Sequence, residues 1–265
     1  MNRYAVFGYP IEHSLSPRIH AQFGRQLGIP LVYERQAVPP GMLAETVRAF
    51  RAAGGCGANV TVPLKAEAFA LASRRTVRAE RAGAVNTLSF ADDAIIGDNT
   101  DGDGLCADFA YHDVPLAGAR MLLLGAGGAA QGIIGPLLDA GVAQVAVWNR
   151  TERRALEWLD RLGDARMGLP VPGVAYDIVI NATAASLHHT LPSVPDTVFR
   201  GALVYDLVYG PAACGFLEHA RTHGARRALD GLGMLIEQAA TAFAIWHGIR
   251  PDTSEIRSLL RETVG

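Results

Sequence analysis

Cysteine is scarce in this chain of 265 residues, which has only three: Cys56, Cys106 and Cys214. Their odd number and wide spacing indicate neither a disulfide framework nor a cluster of metal ligands. We therefore expect no metal site. A reducing compartment, the cytoplasm, fits this use of cysteine best.

The sequence also lacks an excess of positive charge and a long apolar run. Lys and Arg number 24 against 26 Asp and Glu, a formal net charge of -2, which is not expected of a protein that binds nucleic acid or an acidic membrane surface. The N-terminus runs directly into a strand-like segment at residues 4–7, and no apolar stretch reaches membrane-spanning length. We expect a chain that is neither exported nor inserted in a membrane, with a small-molecule substrate as its partner.

What the sequence does contain is typical of a well-packed α/β protein. Hydrophobic residues make up 49% of the chain and charged residues 19%, and the length allows two modest domains. Up to about residue 99, short apolar runs alternate with helical patterns, which predicts a mixed α/β domain. The runs are residues 4–8, 31–38, 57–62 and 84–90. Two short antiparallel strands are expected on either side of a turn at Asp92-Asp93.

The pattern changes beyond residue 101. Four buried strands follow at 121–124, 144–148, 177–180 and 202–206, separated by helical segments. This order predicts a Rossmann-type, doubly wound parallel sheet. An apolar helix at 233–246 is expected to return to the first domain. We predict a first domain of residues 1–101, completed by helices at 238–265, and a second domain of residues 102–237.

A glycine-rich turn follows the first strand of the second domain. Residues 125–130 read Gly-Ala-Gly-Gly-Ala-Ala and open an apolar helix, which is the G-x-G-x-x-A form of the dinucleotide fingerprint. Gly125 permits the tight turn, Gly127 lets the backbone approach a pyrophosphate, and Ala130 allows close packing of helix and strand. Such a turn alone is also compatible with a connection that binds no ligand.

The end of the next strand distinguishes between these interpretations. An NAD site normally has Asp or Glu there, which bonds the ribose 2′-hydroxyl, whereas here Asn149, Arg150 and Thr151 follow the strand. Arginine at this place favours a 2′-phosphate, so we predict NADP as the cofactor. Arg153 and Arg154 lie one turn further on and are either further phosphate ligands or solvated residues of a helix start.

Polar side chains at a strand end in the first domain indicate a candidate catalytic site. Asn59 and Thr61 share one face of a strand, Pro63 is expected at the first position of the next helix, and Lys65 two residues into it. The dipole of a helix N-terminus disfavours a cation there. Lys65 is therefore either an ordinary surface lysine or a proton donor, and the residues leave both interpretations open.

Two further polar groups permit a structural or a ligand-binding role. Asn86 and Asp101 lie where strands give way to turns, and Asp101 is a candidate cap of the following helix. Near the N-terminus, Ser16 is predicted to cap a helix that has Pro17 at its first position. A helix N-terminus flanked by hydroxyl groups, here those of Ser14 and Ser16, is also a ready site for a carboxylate.

Together, these motifs resemble the shikimate dehydrogenase family. Eight blocks match that family's blocks in the same order: residues 8–17, 59–65, 83–87, 99–102, 125–130, 149–151, 206–211 and 231–238. The chain departs from the pattern at Ala21 and Cys214, where the family commonly has asparagine and threonine. It also departs in the segment 181–186, which lacks the family's serine pair and glycine and is expected near the cofactor.

The resemblance implies reversible reduction of 3-dehydroshikimate to shikimate by NADPH, a step toward chorismate and the aromatic amino acids. It implies that Lys65 and Asp101 are the catalytic pair, in which the ammonium stabilises and protonates the alkoxide formed by hydride transfer. The implied substrate-binding residues are Ser14, Ser16, Thr61, Lys65, Asn86, Asp101, Tyr209 and Gln238. The implied cofactor-binding residues are Gly125, Ala126, Gly127, Gly128, Ala129, Asn149, Arg150, Thr151, Arg153, Arg154, Leu207, Gly231 and Met234, the last three at the nicotinamide.

Two alternatives remain at this stage. One keeps the enzyme class with quinate or an amino-substituted relative as substrate, although the absence of an acidic residue at position 149 argues against a quinate enzyme that uses NAD. The other is a regulatory NADP-binding homologue without turnover, which would be expected to have lost Lys65 or Asp101. The sequence leaves the oligomeric state open, with a homodimer as one alternative.

Overall fold

The computed structural model of the chain describes residues 2–91 and 93–264. The chain divides into two compact units, one of Met1–Leu105 with Leu235–Leu259 and one of Cys106–Met234 with Leu260–Gly265. Each unit contains a six-stranded sheet. No helix in the described part of the chain is both long enough and apolar enough to cross a lipid bilayer.

The first unit contains a mixed sheet. Its strands are β1 (Asn2–Gly8), β2 (Leu31–Ala37), β3 (Gly55–Val60), β4 (Arg74–Arg75), β5 (Thr87–Ala91) and β6 (Ala94–Asp98). Its first four helices are α1 (Ser16–Leu27), α2 (Leu43–Ala52), α3 (Lys65–Leu71) and α4 (Val77–Ala82). The strand order is β2-β1-β3-β5-β6-β4, with β1, β2 and β3 parallel and β5 antiparallel to both β3 and β6.

The apolar periodicity of the sequence explains the core of this unit. β1 lies inside the sheet and is buried from Tyr4 onward, as expected of a strand covered on both faces. Helix α1 buries Ile19 and Phe23, which are one helical turn apart, and ends at Gly28 in the left-handed conformation with φ 66°. Phe7 packs in a buried cluster with residues of α2 and of the neighbouring strands, including Leu88.

The second unit contains a fully parallel sheet. Its strands are β7 (Arg120–Leu124), β8 (Gln144–Trp148), β9 (Met167–Gly168), β10 (Ile178–Asn181), β11 (Leu203–Asp206) and β12 (Arg227–Leu229). The helices along this stretch are α5 (Asp101–Tyr111), α6 (Gly128–Asp139), α7 (Glu152–Leu162) and α8 (Pro211–Thr222), with 3₁₀ turns at Ser186–His188 and Asp196–Phe199. Two helices follow, α9 (Leu232–His247) and α10 (Ser254–Val264).

The strand order of the second unit is β12-β11-β10-β7-β8-β9. Chain order thus runs outward from β7 in one direction and then from β10 in the other, which is the doubly wound arrangement that the sequence predicted. In such a sheet, ligands bind outside the carboxyl ends of the strands where the order reverses, here β7 and β10. The predicted fold class is confirmed.

Two predicted helix starts are wrong. Helix α1 begins at Ser16 after Leu15, whose backbone is already helical, so Ser16 is not the cap; instead the Ser14 hydroxyl accepts from the Ser16 N–H at 3.3 Å. Pro63 lies in a turn closed by the Leu64 N–H and the Thr61 carbonyl at 2.9 Å, and Lys65 is the first residue of α3. The antiparallel strands β5 and β6 are present as predicted; Asp92 of the predicted turn lies outside the described residues.

Candidate active site

Lys65 and Asp101 form an ion pair in the first unit. Each is the first residue of its helix, α3 and α5, and Lys65 Nζ lies 2.5 Å from Asp101 Oδ2. Their side chains are only 14% and 7% exposed. The lysine and the aspartate, 36 positions apart in the sequence, are therefore brought together by the fold with little access for water.

The Asp101 carboxylate is held in one orientation by its neighbours. Asn86 Nδ2 donates to Asp101 Oδ1 at 2.8 Å, while the other oxygen accepts from Lys65. The backbone N–H of Asp101 donates to Asn99 Oδ1 at 3.1 Å, which fixes the start of α5. These hydrogen bonds fix the orientation of the carboxylate, so that Oδ2 faces the lysine amine.

Asn86 is the hub of a buried polar network. Its Oδ1 accepts from the Thr100 N–H at 2.9 Å and from the Thr87 hydroxyl at 2.8 Å. Its Nδ2 also lies 3.0 Å from Thr100 Oγ1 and 3.4 Å from Gln238 Oε1. Asn86 and Gln238 are 3% and 9% exposed, so the network brings the predicted substrate residues Asn86, Asp101 and Gln238 to one place.

Ser14 and Ser16 form a second group in the same unit. Both are buried, and the Ser14 hydroxyl donates to Ser16 Oγ at 3.2 Å. Arg35 Nε donates to the Ser14 carbonyl at 2.7 Å, which holds the turn before α1. Thr61 is half-buried after β3, and its methyl group sits 2.5 Å from where a β-carbon on Gly8 would lie, which explains the glycine at the end of β1.

Tyr33 and Asn59 support these groups and were given no role by the sequence analysis. The Tyr33 hydroxyl donates to Asn59 Oδ1 at 2.7 Å, and Asn59 Nδ2 donates to the Asn86 carbonyl at 3.2 Å. Burial raises the pKa of Tyr33 well above its usual value, against the opposing effect of the Ser16 hydroxyl, so the phenol stays a neutral donor. The sequence signal for the role of Asn59 was its position two residues before Thr61, which places both polar side chains on the same face of the strand.

One further signal in the sequence points to Lys65. It is the only lysine in the chain, whereas arginines number 23. Arginine stays protonated in proteins, whereas a lysine amine can give up and regain its proton. The only lysine of the chain is thus paired with an aspartate, in a place that has little access for solvent.

The second unit carries the predicted dinucleotide turn. Gly125 follows β7 with φ 110°, its N–H donates to the Trp148 carbonyl at 2.7 Å, and a β-carbon there would lie 3.1 Å from the Ala182 carbonyl. Only glycine suits this turn. Beyond it, β-carbons on Gly127 and Gly128 would meet no atom within 4 Å, so open space lies outside the N-terminus of α6, as a pyrophosphate requires. Ala126 is buried and Ala129 half-buried beside this space.

Asn149 joins the end of β8 to the glycine turn. Its Oδ1 accepts from the Ala126 N–H at 3.2 Å, and its Nδ2 donates to the Thr151 carbonyl at 2.8 Å. These bonds present the start of α7 next to the turn, with the side chains of Arg150, Thr151, Arg153 and Arg154 exposed. Arg153 Nε lies 3.3 Å from Glu157 one turn along α7, a surface pair.

Of the remaining predicted residues, Leu207 and Tyr209 lie in the loop after β11, Gly231 directly precedes α9, and Met234 lies in the first turn of α9. The Gly231 N–H donates to the Val208 carbonyl at 3.0 Å, and a β-carbon on Gly231 would overlap the carbonyl oxygen of Leu207. This close packing alone accounts for the glycine, whichever ligand binds there. Met234 is buried and its N–H donates to the Tyr205 hydroxyl at 3.4 Å. Tyr209 is half-buried. It lies in the second unit, whereas the other predicted substrate residues lie in the first.

A buried carboxyl group, to which the sequence analysis gave no role, connects the segment after β10 to the loop after β11. Asp206, at the end of β11, accepts from the Ser186 hydroxyl at 2.5 Å and from Asn181 Nδ2 at 3.2 Å through Oδ2, and from the Val208 N–H at 3.0 Å through Oδ1. Burial raises its pKa to about 6, against the opposing effect of these hydrogen bonds. The sequence signal for this buried carboxyl group was an aspartate that directly follows the apolar residues Leu203, Val204 and Tyr205 of one strand.

Three segments of the chain match known protein families. Residues 6–88 match the shikimate dehydrogenase substrate binding domain. Residues 108–192 match shikimate / quinate 5-dehydrogenase, and residues 231–261 match the shikimate 5'-dehydrogenase C-terminal domain. These matches together span most of the chain.

Relatives of full length agree with these matches. The chain is 49% identical to shikimate dehydrogenase (NADP(+)) of Paracidovorax citrulli over an alignment of 270 positions, which covers 97% of this chain and 96% of the relative. The enzyme of the same name from Bordetella avium is 48% identical over an alignment of 272 positions, which covers 98% of this chain and 95% of the relative.

Solved structures resemble the chain over its whole length. The shikimate 5-dehydrogenase of Thermus thermophilus, in complex with NADP(H) and shikimate, has a TM-score of 0.89 at 36% identity and 99% coverage of both chains. An enzyme of Pseudomonas putida has a TM-score of 0.92 at 42% identity and 98% coverage of both chains.

Proposed function

This chain belongs to the NADP-dependent shikimate dehydrogenase family, and on that basis we propose that it catalyses the reversible reduction of 3-dehydroshikimate to shikimate by NADPH. The observation that carries the proposal is the shielded Lys65–Asp101 pair at 2.5 Å. A ketone that receives hydride becomes an alkoxide, which needs a proton from a nearby acid. Both partners required for that step are present, which argues against a regulatory homologue without turnover.

The geometry of the catalytic pair supports the roles proposed for it. In reduction, the Lys65 ammonium stabilises the developing negative charge on the substrate oxygen and transfers its proton there. In the direction of oxidation, the amine takes the proton of the hydroxyl group. Asp101 holds the Lys65 amine in place through Oδ2. Because Asn86 binds the other carboxylate oxygen, the carboxylate cannot rotate freely and the position of the amine is fixed.

The substrate residues are proposed by their positions in the family's motifs and supported by burial. Ser14 and Ser16 present two hydroxyl groups that can turn toward a carboxylate, and each hydrogen bond to a charged group contributes about 1.5–3 kcal/mol. Thr61, Asn86, Gln238 and Tyr209 are proposed to bind the remaining hydroxyl or carboxylate groups.

The second unit is proposed to hold NADP. When bound, NADPH supplies the hydride. Gly125 and Ala126 form the turn, which their N–H groups hold against Trp148 and Asn149, and the amides of residues 127–129 would bind the pyrophosphate in the open space outside α6. Arg150, Thr151, Arg153 and Arg154 are proposed to surround the 2′-phosphate, and Leu207, Gly231 and Met234 to line the nicotinamide.

Three broader predictions belong to the same proposal. We keep the domain bounds of 1–101 with 238–265 for the substrate domain and 102–237 for the cofactor domain. A cytoplasmic location is supported by three free cysteines, Cys56, Cys106 and Cys214. A homodimer is the oligomer we would test first, by light scattering of the purified protein.

The proposal is tested by the rate of NADPH formation from shikimate and NADP⁺, measured against quinate and against NAD⁺. We expect shikimate with NADP⁺ to be the preferred combination. A preference for quinate with NAD⁺ would contradict the proposed substrate.

Lys65 is tested by two substitutions that separate charge from proton transfer. Lys65→Ala should bind NADPH as the unmodified protein does but lose about 10²–10⁴-fold in turnover, because the acid is removed. Lys65→Arg keeps the positive charge without a proton to give, so it should remain nearly as impaired. Turnover close to normal in Lys65→Arg would show that charge alone suffices and would rule out the assigned role.

A further inference from the structure

Two histidines and an aspartate meet on the surface of the second unit, and none of them is among the proposed substrate or cofactor residues. Asp196 begins the 3₁₀ turn Asp196–Phe199, His219 lies in the last turn of α8, and His223 directly follows that helix. His219 Nε2 lies 2.8 Å from Asp196 Oδ1, and His223 Nε2 lies 3.4 Å from Asp196 Oδ2. One ligand atom from each residue falls within 4.8 Å of the other two.

The spacing of the two histidines suits a shared metal ion. Residues four apart in a helix lie on one face, so the imidazoles of His219 and His223 stand side by side with ring centres 4.2 Å apart. A zinc ion with ligands at 2.0–2.2 Å needs donor atoms roughly 3.3–3.6 Å from one another in a tetrahedral site. The observed separations of 2.8 and 3.4 Å come close to this requirement.

A backbone hydrogen bond prepares His223 for a metal. His223 Nδ1 lies 2.8 Å from the carbonyl oxygen of His219, which can only accept, so Nδ1 carries the proton in the neutral ring. The lone pair of Nε2 then faces Asp196. A histidine ligand whose other nitrogen donates to a carbonyl is the usual arrangement at zinc sites, because that bond fixes the tautomer and the ring orientation.

His219 is supported by packing. The buried ring of Phe199, 2% exposed, meets the His219 ring edge to face at 5.7 Å, which limits rotation of the imidazole. The three ligating side chains are 26%, 35% and 51% exposed for His219, His223 and Asp196, so water can reach the site and complete the coordination.

We propose that Asp196, His219 and His223 bind a divalent transition-metal ion. Zn²⁺ is the ion that suits these ligands best, with a water molecule as the fourth ligand. Two imidazoles and one carboxylate match the preference of Zn²⁺, whereas Mg²⁺ and Ca²⁺ prefer oxygen ligands alone. The ion would join the 3₁₀ turn before β11 to the end of α8. It would act by stabilising the second unit and takes no part in the proposed hydride transfer.

The experiment is a calorimetric titration of the protein, freed of metal with a chelator, with ZnSO₄ and with MgCl₂. We expect saturable binding of one Zn²⁺ per chain and no comparable binding of Mg²⁺. His219→Ala and His223→Ala should each weaken the binding of Zn²⁺ by at least about tenfold, because a ligand is lost. The double variant His188→Ala/His189→Ala, which removes two exposed histidines elsewhere in the unit, should bind Zn²⁺ as the unmodified protein does.

A second measurement covers variants that fold poorly. The melting temperature should rise by several degrees with excess Zn²⁺ in the unmodified protein and in the His188/His189 control, and should not rise in Asp196→Asn. The proposal is overturned if no saturable binding is found, or if His219→Ala and His223→Ala bind Zn²⁺ unchanged. Oxidation of shikimate is measured separately. Absence of Zn²⁺ binding therefore does not contradict the proposed function, and absence of shikimate oxidation does not contradict the proposed metal site.

Discussion

Lysine and arginine have different proposed tasks in this chain. Lys65, the only lysine, meets Asp101 in a shielded place, whereas arginines supply the cations at the surface, including Arg150 after β8. A guanidinium binds phosphate with two parallel hydrogen bonds and keeps its charge, but it cannot serve as a proton donor. Proton transfer and phosphate recognition thus require different side chains.

Arg150→Ala is expected to separate NADP from NAD. Loss of a charge-assisted bond to the 2′-phosphate should raise the Michaelis constant for NADP by about 10–100-fold, equivalent to about 1.4–2.7 kcal/mol, with a much smaller change for NAD. Arg153→Ala, in which the lost side chain already faces Glu157, should have less effect. Equal changes for the two cofactors in Arg150→Ala would count against phosphate recognition by this residue.

Asp206 is expected to make stability depend on pH in the acidic range. Its pKa is raised by burial from 3.8 to about 6, so its favourable contribution is complete below pH 4 and is lost as the pH rises through 6. The loss is on the order of 3 kcal/mol. The difference in free energy of unfolding between the unmodified protein and Asp206→Asn should therefore decrease from pH 4 to pH 6, as measured by urea titrations. A difference that increases over this range would mean that the hydrogen bonds outweigh burial.

At the scale of elements, the site depends on a close approach of α5 and α9. A β-carbon on Gly104 would lie 2.7 Å from both the backbone nitrogen and Cβ of Gln238. Glycine normally weakens a helix. Gly104 is needed here because a larger residue would push away Gln238, which contacts Asn86. The two helices thereby position residues that are far apart in the sequence.

Gly104→Ala should therefore destabilise the protein by about 1–3 kcal/mol and raise the Michaelis constant for shikimate, because the backbone of α9 must move. Gly215→Ala provides the matched control. Gly215 is also helical, within α8, but a β-carbon there meets no atom within 4 Å. That variant should be more stable by about 0.5–1 kcal/mol. Similar unfolding midpoints for the two variants would contradict the packing argument.

At the scale of the whole molecule, each unit has its own sheet and its own buried cluster. The predicted ligand residues divide between the units: Ser14, Lys65 and Asn86 belong to the first, and the glycine turn and Arg150 to the second. Tyr209, in the second unit, is the exception among the proposed substrate residues; the other proposed substrate contacts lie in the first unit, and all proposed cofactor contacts lie in the second.

Hydrogen exchange should show this division of ligands. NADP⁺ alone is expected to slow amide exchange at residues 125–130, where backbone N–H groups would bind phosphate, and to leave residues 59–65 unchanged. Shikimate alone should slow exchange around residues 14–16 and 59–65. Protection of 125–130 by shikimate alone would contradict the assignment of the ligands to the units.

Local patterns in the sequence were enough to predict much of this protein. The parallel sheet follows from strand periodicity, and the NADP site follows from the glycine turn with Asn149 and Arg150 nearby in the chain. The evidence for each prediction comes from consecutive elements or from residues within about 30 positions of one another, for which spacing and secondary structure are informative.

Other features depend on contacts between distant residues, and only the tertiary structure decided them. Spacing left Lys65 and Asp101 each with an ordinary interpretation, whereas the fold pairs them at 2.5 Å and encloses them. The residues of the Asp206 network and of the Asp196–His219–His223 cluster are closer together in the chain, but they lie on different elements that no motif in the sequence connects. The sequence alone determined which chemical groups are available and the secondary structure that carries them. Tertiary packing decided which of those groups meet, because long-range contacts depend on how whole elements pack.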